Sequence, residues 1–248
     1  MNLEQWHHRF QQQARWTADI RNFLFNKAAI HSSARVLEVG VGTGAVLDSL
    51  VREQNFNPFG VDLNYHRMAF ASKNNPSFKL VQADGNHLPY SDDVFQITFC
   101  HYLFLWVKDP MNILLEMQRV TQTGGYIIAL SEPDHENRID YPPPLDKLGE
   151  SQTKDLEYQG ADTALGRRLR ALFFAAGLDE VEAGILGAQW SQAHSQPEKT
   201  EWMALRSDLM EHLSEDQITT YEKLDRAAYE SGERVLFIPT FYAIGRVI

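Results

Sequence analysis

The stretch Val36–Val46, VLEVGVGTGAV, restricts the possible folds of this chain more than any other. Val36, Leu37 and Val39 are β-favouring and apolar, three glycines follow at alternate positions (Gly40, Gly42, Gly44), and Val46, Leu47, Leu50 and Val51 then repeat at helical spacing. The pattern predicts a strand, a tight turn and a helix. Glycines at such a turn let the backbone take positive φ and let a ligand approach the main chain without a Cβ in the way. The free N–H groups and positive dipole end of the following helix favour an anionic group there.

The same alternation continues downstream. Phe59–Leu63 reads as a short second strand ending in Asp62, which stands 18 residues beyond Gly44, about where an α/β nucleotide site places the carboxylate that takes ribose hydroxyls. After a helix over about 64–75, a third strand, Phe78–Ala83, also ends in an acid, Asp84, followed by Gly85. Strand four is Val94–Cys100, running into His101. Asp109-Pro110 then starts a helix with an N-cap residue and a proline at its first position, and Ile113, Leu114, Met117 and Val120 make its buried stripe. Gly124-Gly125 is expected to end that helix, and strand five, Tyr126–Leu130, leads to Ser131, Glu132, Pro133, Asp134 and His135. Strands alternating with helices argue an α/β, doubly wound, Rossmann-like sheet with its site at the carboxyl ends of the strands.

Residues 3–30 carry helical periodicity, with Trp16, Ile20, Phe23, Leu24 and Ala28 on one face. Helices there can lie across the mouth of the glycine turn, which makes Arg9, Arg15 and Arg21 candidate partners for a carboxylate. Residues 136–161 are irregular, with Pro142–Pro144 leading into a short polar helix. Asp162 is expected to cap an amphipathic helix (Leu165, Leu169, Leu172, Phe173, Ala176) closed by Gly177, with Arg167, Arg168 and Arg170 on its solvated face. A sixth strand, Glu180–Leu186, follows. Residues 196–231 read as two helices separated near Ser214. Pro239 cannot donate to an interior ladder, so the last strand starts at Thr240. The expectation is one domain: a helical cover over 1–30, a core over 34–186, a helical insertion over 187–232 between strands six and seven, and the last strand over 240–248.

Composition removes several classes of function. With 248 residues, 44% hydrophobic and 23% charged, the chain can bury a large core. A formal net charge of −10 and a pI near 5.3 disfavour nucleic acid or an anionic membrane as main partner. One cysteine, Cys100, excludes an internal disulfide, and no Cys/His spacing suits a metal, so cytoplasmic chemistry is expected. The first residues lack a signal-peptide pattern and no apolar run approaches the roughly 18 residues of a membrane span.

Over roughly residues 34–186 and the last strand, this ordering resembles the class I S-adenosylmethionine-dependent methyltransferases, in particular the small-molecule group similar to ubiquinone-biosynthesis and type 11 enzymes. The resemblance implies a seven-stranded sheet with an antiparallel last strand. VLEVGVGTG is similar to the segment that cradles the methionine part of the cofactor, which implies Glu38, Gly40 and Gly42 for that role. GVDL implies Asp62 for the ribose and Leu63 beside the adenine. QADGNHLPY implies Asp84 accepting from the adenine amine and Gly85 offering an N–H. FCHYLFLWVKDP and LLEMQRVTQTGGYIIALSEPD are similar to the segments around strands four and five. The implied cofactor is S-adenosylmethionine, with S-adenosylhomocysteine as product. Gly40, Gly42 and Ala45 also satisfy a dinucleotide pattern, but Glu38 would repel a pyrophosphate and a second adenine-binding acid has no use there. A NAD(P)-dependent oxidoreductase and a non-catalytic cofactor-binding regulator are the alternatives.

Methyl transfer from a sulfonium needs alignment in a dry pocket, and a general base only if the acceptor must lose a proton. His101, Glu132 and His135, just past strands four and five, are the candidate catalytic groups. His101 has a second reading, a packed residue whose backbone contacts the cofactor's amino group. Trp16, Tyr141, Tyr158, Trp190, Trp202, Met203 and Met210 lie in the segments expected to wall a site for a small, largely apolar or aromatic acceptor. Neither the acceptor nor the oligomeric state can be read from the residues.

Overall fold

The computed structural model describes residues 1–188, 199–209 and 212–248. Two helices come first, α1 (Leu3–Trp16), opened by a capping box between Asn2 and Gln5, and α2 (Ala18–Lys27). The helical segment thus breaks once, at Thr17. The core then runs β1 (Arg35–Val39), α3 (Ala45–Glu53), β2 (Asn57–Asp62), α4 (Tyr65–Asn74), β3 (Lys79–Gln82), β4 (Phe95–Cys100), α5 (Pro110–Val120) and β5 (Thr121–Pro133). Next come β6 (Ile139–Tyr141), α6 (Leu145–Tyr158), α7 (Leu169–Ala175), β7 (Asp179–Ile185), α8 (Lys199–Leu209), α9 (Glu215–Ser231), β8 (Val235–Phe237) and β9 (Thr240–Arg246).

Seven strands form one sheet in the order β3-β2-β1-β4-β5-β9-β7, with β9 antiparallel to both its neighbours. The central strands are apolar on both faces because both are covered. On one face Leu37, Val39, Phe95 and Cys100 pack with Ile113 and Leu114 of α5 and Leu169 and Phe173 of α7. On the other, Val36, Ile97 and Phe99 meet Leu24 and Phe25 of α2 and Val46, Leu47 and Leu50 of α3. This is the class I methyltransferase architecture. Strand order reverses between β1 and β4, so the crevice of the sheet opens where those two strands end.

Several elements depart from the sequence reading. Helix α5 stops at Val120 and β5 begins at once, because the Thr121 hydroxyl bonds both the Met117 carbonyl (2.7 Å) and Thr98 Oγ1 of β4 (2.8 Å). The Gly124-Gly125 pair therefore turns within the strand. Asp162 does not cap α7. A single 3₁₀ turn, Gly166–Arg168, precedes that helix, and a Cβ at Gly166 would stand 2.4 Å from the Glu132 carbonyl oxygen, so the chain passes too close to β5 for a regular helical start. Arg167 is not simply a solvated charge; its guanidinium pairs with the buried Asp134 carboxylate at 2.5 Å.

The segment read as irregular contributes to a cap. Strands β6 and β8 pair antiparallel, Ile139 opposite Phe237 and Tyr141 opposite Val235. Beneath them α6, α8 and α9 share a core of Leu145, Leu148, Trp202, Leu209, Ile218 and Ala228. Ser214 opens α9 with a capping box to Gln217, at the separation expected. Buried charges tie the cap together: Arg234 bonds Asp225 (2.6 Å) and Asp140 (2.9 Å), Arg138 bonds Asp140 (2.6 Å), and the Trp202 indole N–H donates to Asp225 (2.8 Å).

Removing one member of such a network leaves its partners buried and uncompensated. Arg234→Met should cost about 3–5 kcal/mol, read as a lower midpoint in urea denaturation. An unchanged midpoint would show that the apolar contacts alone hold the cap.

Candidate active site at the strand ends

The glycine turn is built from both its neighbours. The N–H groups of Gly40 and Val41 both donate to the Val61 carbonyl at 2.9 Å, and Gly40, Gly42 and Gly44 have φ of +78°, +52° and +77°. Gly44 is the N-cap of α3 and has no side chain to cap it with. Glu38 supplies the acceptor from beneath, bonding the Leu47 N–H, and burial pushes its carboxyl well above the usual range. Its Oε2 is buried without a partner. Glu38 thus lies under the turn, where sequence had placed it in the cradle itself. Arg21, also fully buried, donates to the Ala14 carbonyl (2.8 Å), Ser49 (2.8 Å) and Glu53 (3.3 Å), which ties α2 to α3.

Asp62 completes the turn. Its Oδ2 accepts from the Gly42 N–H (2.8 Å) and its Oδ1 from the Asn64 N–H (2.7 Å), leaving each oxygen a second lone pair. Leu63 follows and is 66% exposed, an apolar side chain left facing outward beside the acid. On the next strand end, Asp84 Oδ1 accepts from the backbone and side chain of Asn86 (2.9 Å each), which hold its carboxyl below the usual range and leave Oδ2 open. Gly85 lets the chain pass Val39 and Ile113, from which a Cβ would stand 3.3 and 3.4 Å. Gly40, Gly42, Asp62, Leu63, Asp84 and Gly85 therefore border one crevice across the ends of β1, β2 and β3.

Helix α1 crosses that crevice. His7 Nδ1 meets Thr43 Oγ1 at 2.9 Å, and the Phe10 ring stands 3.9 Å from where a Gly42 Cβ would be. At the far end of α1, Thr17 Oγ1 bonds His101 Nε2 at 3.2 Å. Part of His101 remains accessible, yet the protein packed around the ring, with the Arg21 charge beyond it, holds its pKa down at about 3.

The other two candidate bases sit elsewhere than expected. Glu132 is fully buried, accepting from the N–H groups of Leu103 (3.0 Å), Phe104 (2.9 Å) and Leu105 (3.0 Å). Burial raises its pKa to about 7 against the pull of those three donors. It clamps the turn after β4 and does not face an acceptor. His135 is 9% exposed, with Nδ1 buried and unpartnered and a pKa lowered to about 3 by burial and by Arg138. Of the expected apolar walls, Trp202 is spent in the cap core, Tyr141 and Tyr158 are exposed, and Trp16 lies under the Arg9 guanidinium (4.8 Å). Trp190 and Met210 lie outside the described residues. Sequence reasoning missed Tyr102, whose ring meets His101 edge-on at 4.8 Å, and Asp208 and Gln152, which only the packing of α8 on α6 brings together. The positive φ of Tyr102 (51°) has no local signature in a Tyr-Leu pair. Among the described residues no group of three or more His, Cys, Asp or Glu could hold a metal, and no helix is long and apolar enough to cross a membrane.

Residues 37–129 match the family described as a methyltransferase domain. A malonyl-[acyl-carrier protein] O-methyltransferase of Hamiltonella defensa is 26% identical over 121 residues, which are 49% of this chain and 46% of that protein. A phosphatidylethanolamine N-methyltransferase of Cereibacter sphaeroides is 30% identical over 134 residues, 47% of this chain and 64% of that one. The chain thus spans about half the length of these curated relatives. Among solved structures, Haemonchus contortus phosphoethanolamine N-methyltransferase 2 in complex with S-adenosyl-L-methionine aligns over 88% of this chain and 49% of its own with a TM-score of 0.56 at 13% identity, a likeness of fold.

The buried imidazole of His135 gives the region a pH signature. The ring titrates near 6.5 when unfolded and at about 3 when folded, so its contribution to stability is present above about pH 6.5 and is lost as pH falls. Between pH 7 and 5 the protein should lose about 2 kcal/mol more than His135→Gln does, from about 1.4 kcal/mol per unit of pKa difference. Urea denaturation of both at the two pH values measures it, and equal losses would mean that protons reach the folded ring.

Proposed function

We propose that this chain is a class I S-adenosylmethionine-dependent methyltransferase and that it transfers the methyl group of S-adenosylmethionine to a small-molecule acceptor. The observation that carries this reading is the pair of strand-end carboxylates with acceptor capacity left, Asp62 with a second lone pair on each oxygen and Asp84 with Oδ2 open, beside the exposed Leu63. Two acids and an apolar platform suit an adenosine: Asp62 for the ribose hydroxyls, Leu63 for the adenine face, Asp84 for its exocyclic amine and the Gly85 N–H for a ring nitrogen. Gly42 leaves room for the amino-acid end, Leu103 packs over Gly40 beside it, His101 borders it, and the unpartnered Glu38 Oε2 suits an ammonium.

The bound cofactor supplies an electrophilic methyl on a sulfonium. The chain supplies position and dryness. Helix α1 closes over the turn through His7 and Phe10, Thr17 holds the His101 ring, and Glu132 fixes the backbone of 103–105. None of the three candidate bases is a strong one. An imidazole with a conjugate-acid pKa of about 3 takes a proton poorly, and Glu132 is enclosed by its three N–H donors. The site therefore suits an acceptor that arrives already nucleophilic, such as a neutral amine or a carboxylate, over a hydroxyl that must be deprotonated.

Calorimetry with S-adenosylmethionine, S-adenosylhomocysteine, NAD and NADP tests the cofactor. The first two should bind in the micromolar range, and Asp62→Ala should lose hydrogen bonds worth about 1.5–3 kcal/mol each, so tenfold or more in affinity. Nicotinamide binding without sulfonium binding, or undiminished affinity in a folded Asp62→Ala, would overturn the assignment. Transfer of labelled methyl to a panel of amines, carboxylates and phenols then separates an enzyme from a cofactor-binding regulator.

A further inference from the structure

A chain of buried polar contacts runs from the cap core toward the end of β4 and stops at a carboxylate. Trp202 bonds Asp225, Asp225 bonds Arg234, Arg234 bonds Asp140, and Asp140 bonds Arg138. Arg138 Nη1 then donates to Gln152 Oε1 at 2.7 Å. With its carbonyl oxygen so occupied, the Gln152 amide must turn its NH₂ the other way, and it donates to Asp208 Oδ2 at 3.3 Å. Asp208 stands on α8 and faces α6, where Gln152 and Asp155 share one side of the helix at i, i+3.

Asp208 is half-buried, and it ends the relay with no cation bonded to it among the described residues. Gln152 and Gln159, both neutral, are its side-chain partners, and desolvation holds its carboxyl above the ordinary range. Helix α8 packs on both α1 and α6, and Leu156 of α6, one turn beyond Gln152, packs with Leu105 and Tyr102 of the turn that follows β4. The Arg9 guanidinium of α1 is committed to Gln12 (2.7 Å) and to the face of Trp16, and among the described residues no ion pair joins it to Asp208. His135 Nδ1 is buried without a partner, and Asp155, 1% exposed, has only the His212 imidazole as ionic partner among the described residues. A relay of buried ions is costly to assemble. Its effect here is to hold one carboxylate fixed where α8 packs on α6 and α1.

We propose that Asp208 is the acceptor-binding carboxylate of this site and that it holds a protonated amine of the acceptor, in the space bounded by α1, α6, α8 and the turn after β4. The proposal rests on the methyltransferase reading and names its substrate class: small acceptors carrying an ammonium group. The ammonium is the recognised group. The atom that is methylated is a second, unprotonated nucleophile of the same molecule.

The test uses three probes with one skeleton and different heads, 2-phenylethylamine, 2-phenylethanol and phenylacetate, titrated into the full chain saturated with S-adenosylhomocysteine. The amine should bind at least tenfold more tightly than the alcohol. Asp208→Asn should abolish that preference while leaving S-adenosylhomocysteine affinity unchanged, and Asp208→Glu should restore part of it. Gln152→Met, which keeps the charge but removes its positioning partner, should weaken the preference by severalfold. No amine preference, no binding of any probe, a preference for phenylacetate, or a preference that survives in Asp208→Asn would overturn the proposal. Loss of S-adenosylhomocysteine binding by the unaltered chain would instead overturn the cofactor reading, so the two failures are told apart.

Discussion

The hydrogen bond from the Gly42 N–H to Asp62 is the contact on which the rest of the site depends. It ties the turn after β1 to the end of β2, with the Val61 carbonyl holding Gly40 and Val41 one step back. A loop of three glycines has little conformational preference of its own. The neighbouring strand fixes it, and the fixed loop in turn sets where α3 starts, where α1 can lie and where a ligand can approach the main chain.

The buried charges around this loop are structural. Glu38 caps a helix whose own N-cap is a glycine, Arg21 ties α2 to α3, and Glu132 holds three consecutive N–H groups of the turn after β4. Each is held in place by partners that an apolar residue of the same size could not engage, and an uncompensated charge at any of them would cost several kcal/mol. The cap carries a second set, from Asp225 to Asp208, built from segments far apart in the chain. Both sets keep polar atoms at defined places beside a crevice that the sheet topology alone would leave unlined.

What could be read from sequence follows from what is local. The strand–glycine–helix pattern, the spacing of Asp62, the Asp84-Gly85 pair and the proline that delays β9 are all local signals, and the sheet and the strand ends that border its crevice were legible from them. Helix ends decided by tertiary contact were not: α5 stops where Thr121 finds Thr98, and α7 starts late where Gly166 passes β5. The small sheet β6/β8 joins residues nearly a hundred positions apart through three pairs, too short to leave a period in the sequence. Glu132 was read as a special acid but given the wrong direction, because which side of a strand end is lined with free N–H groups depends on the fold. Asp208 carried no signal at all; only the packing of α8 on α6 gives it a role.

Hydrogen exchange with and without S-adenosylhomocysteine tests most directly the claim that the cofactor lies at the glycine turn beneath α1. Exchange should slow at the amides of residues 40–44 and, together with them, along 5–17. Protection at the turn with α1 unchanged would contradict the cover, and an unchanged turn would contradict the site itself.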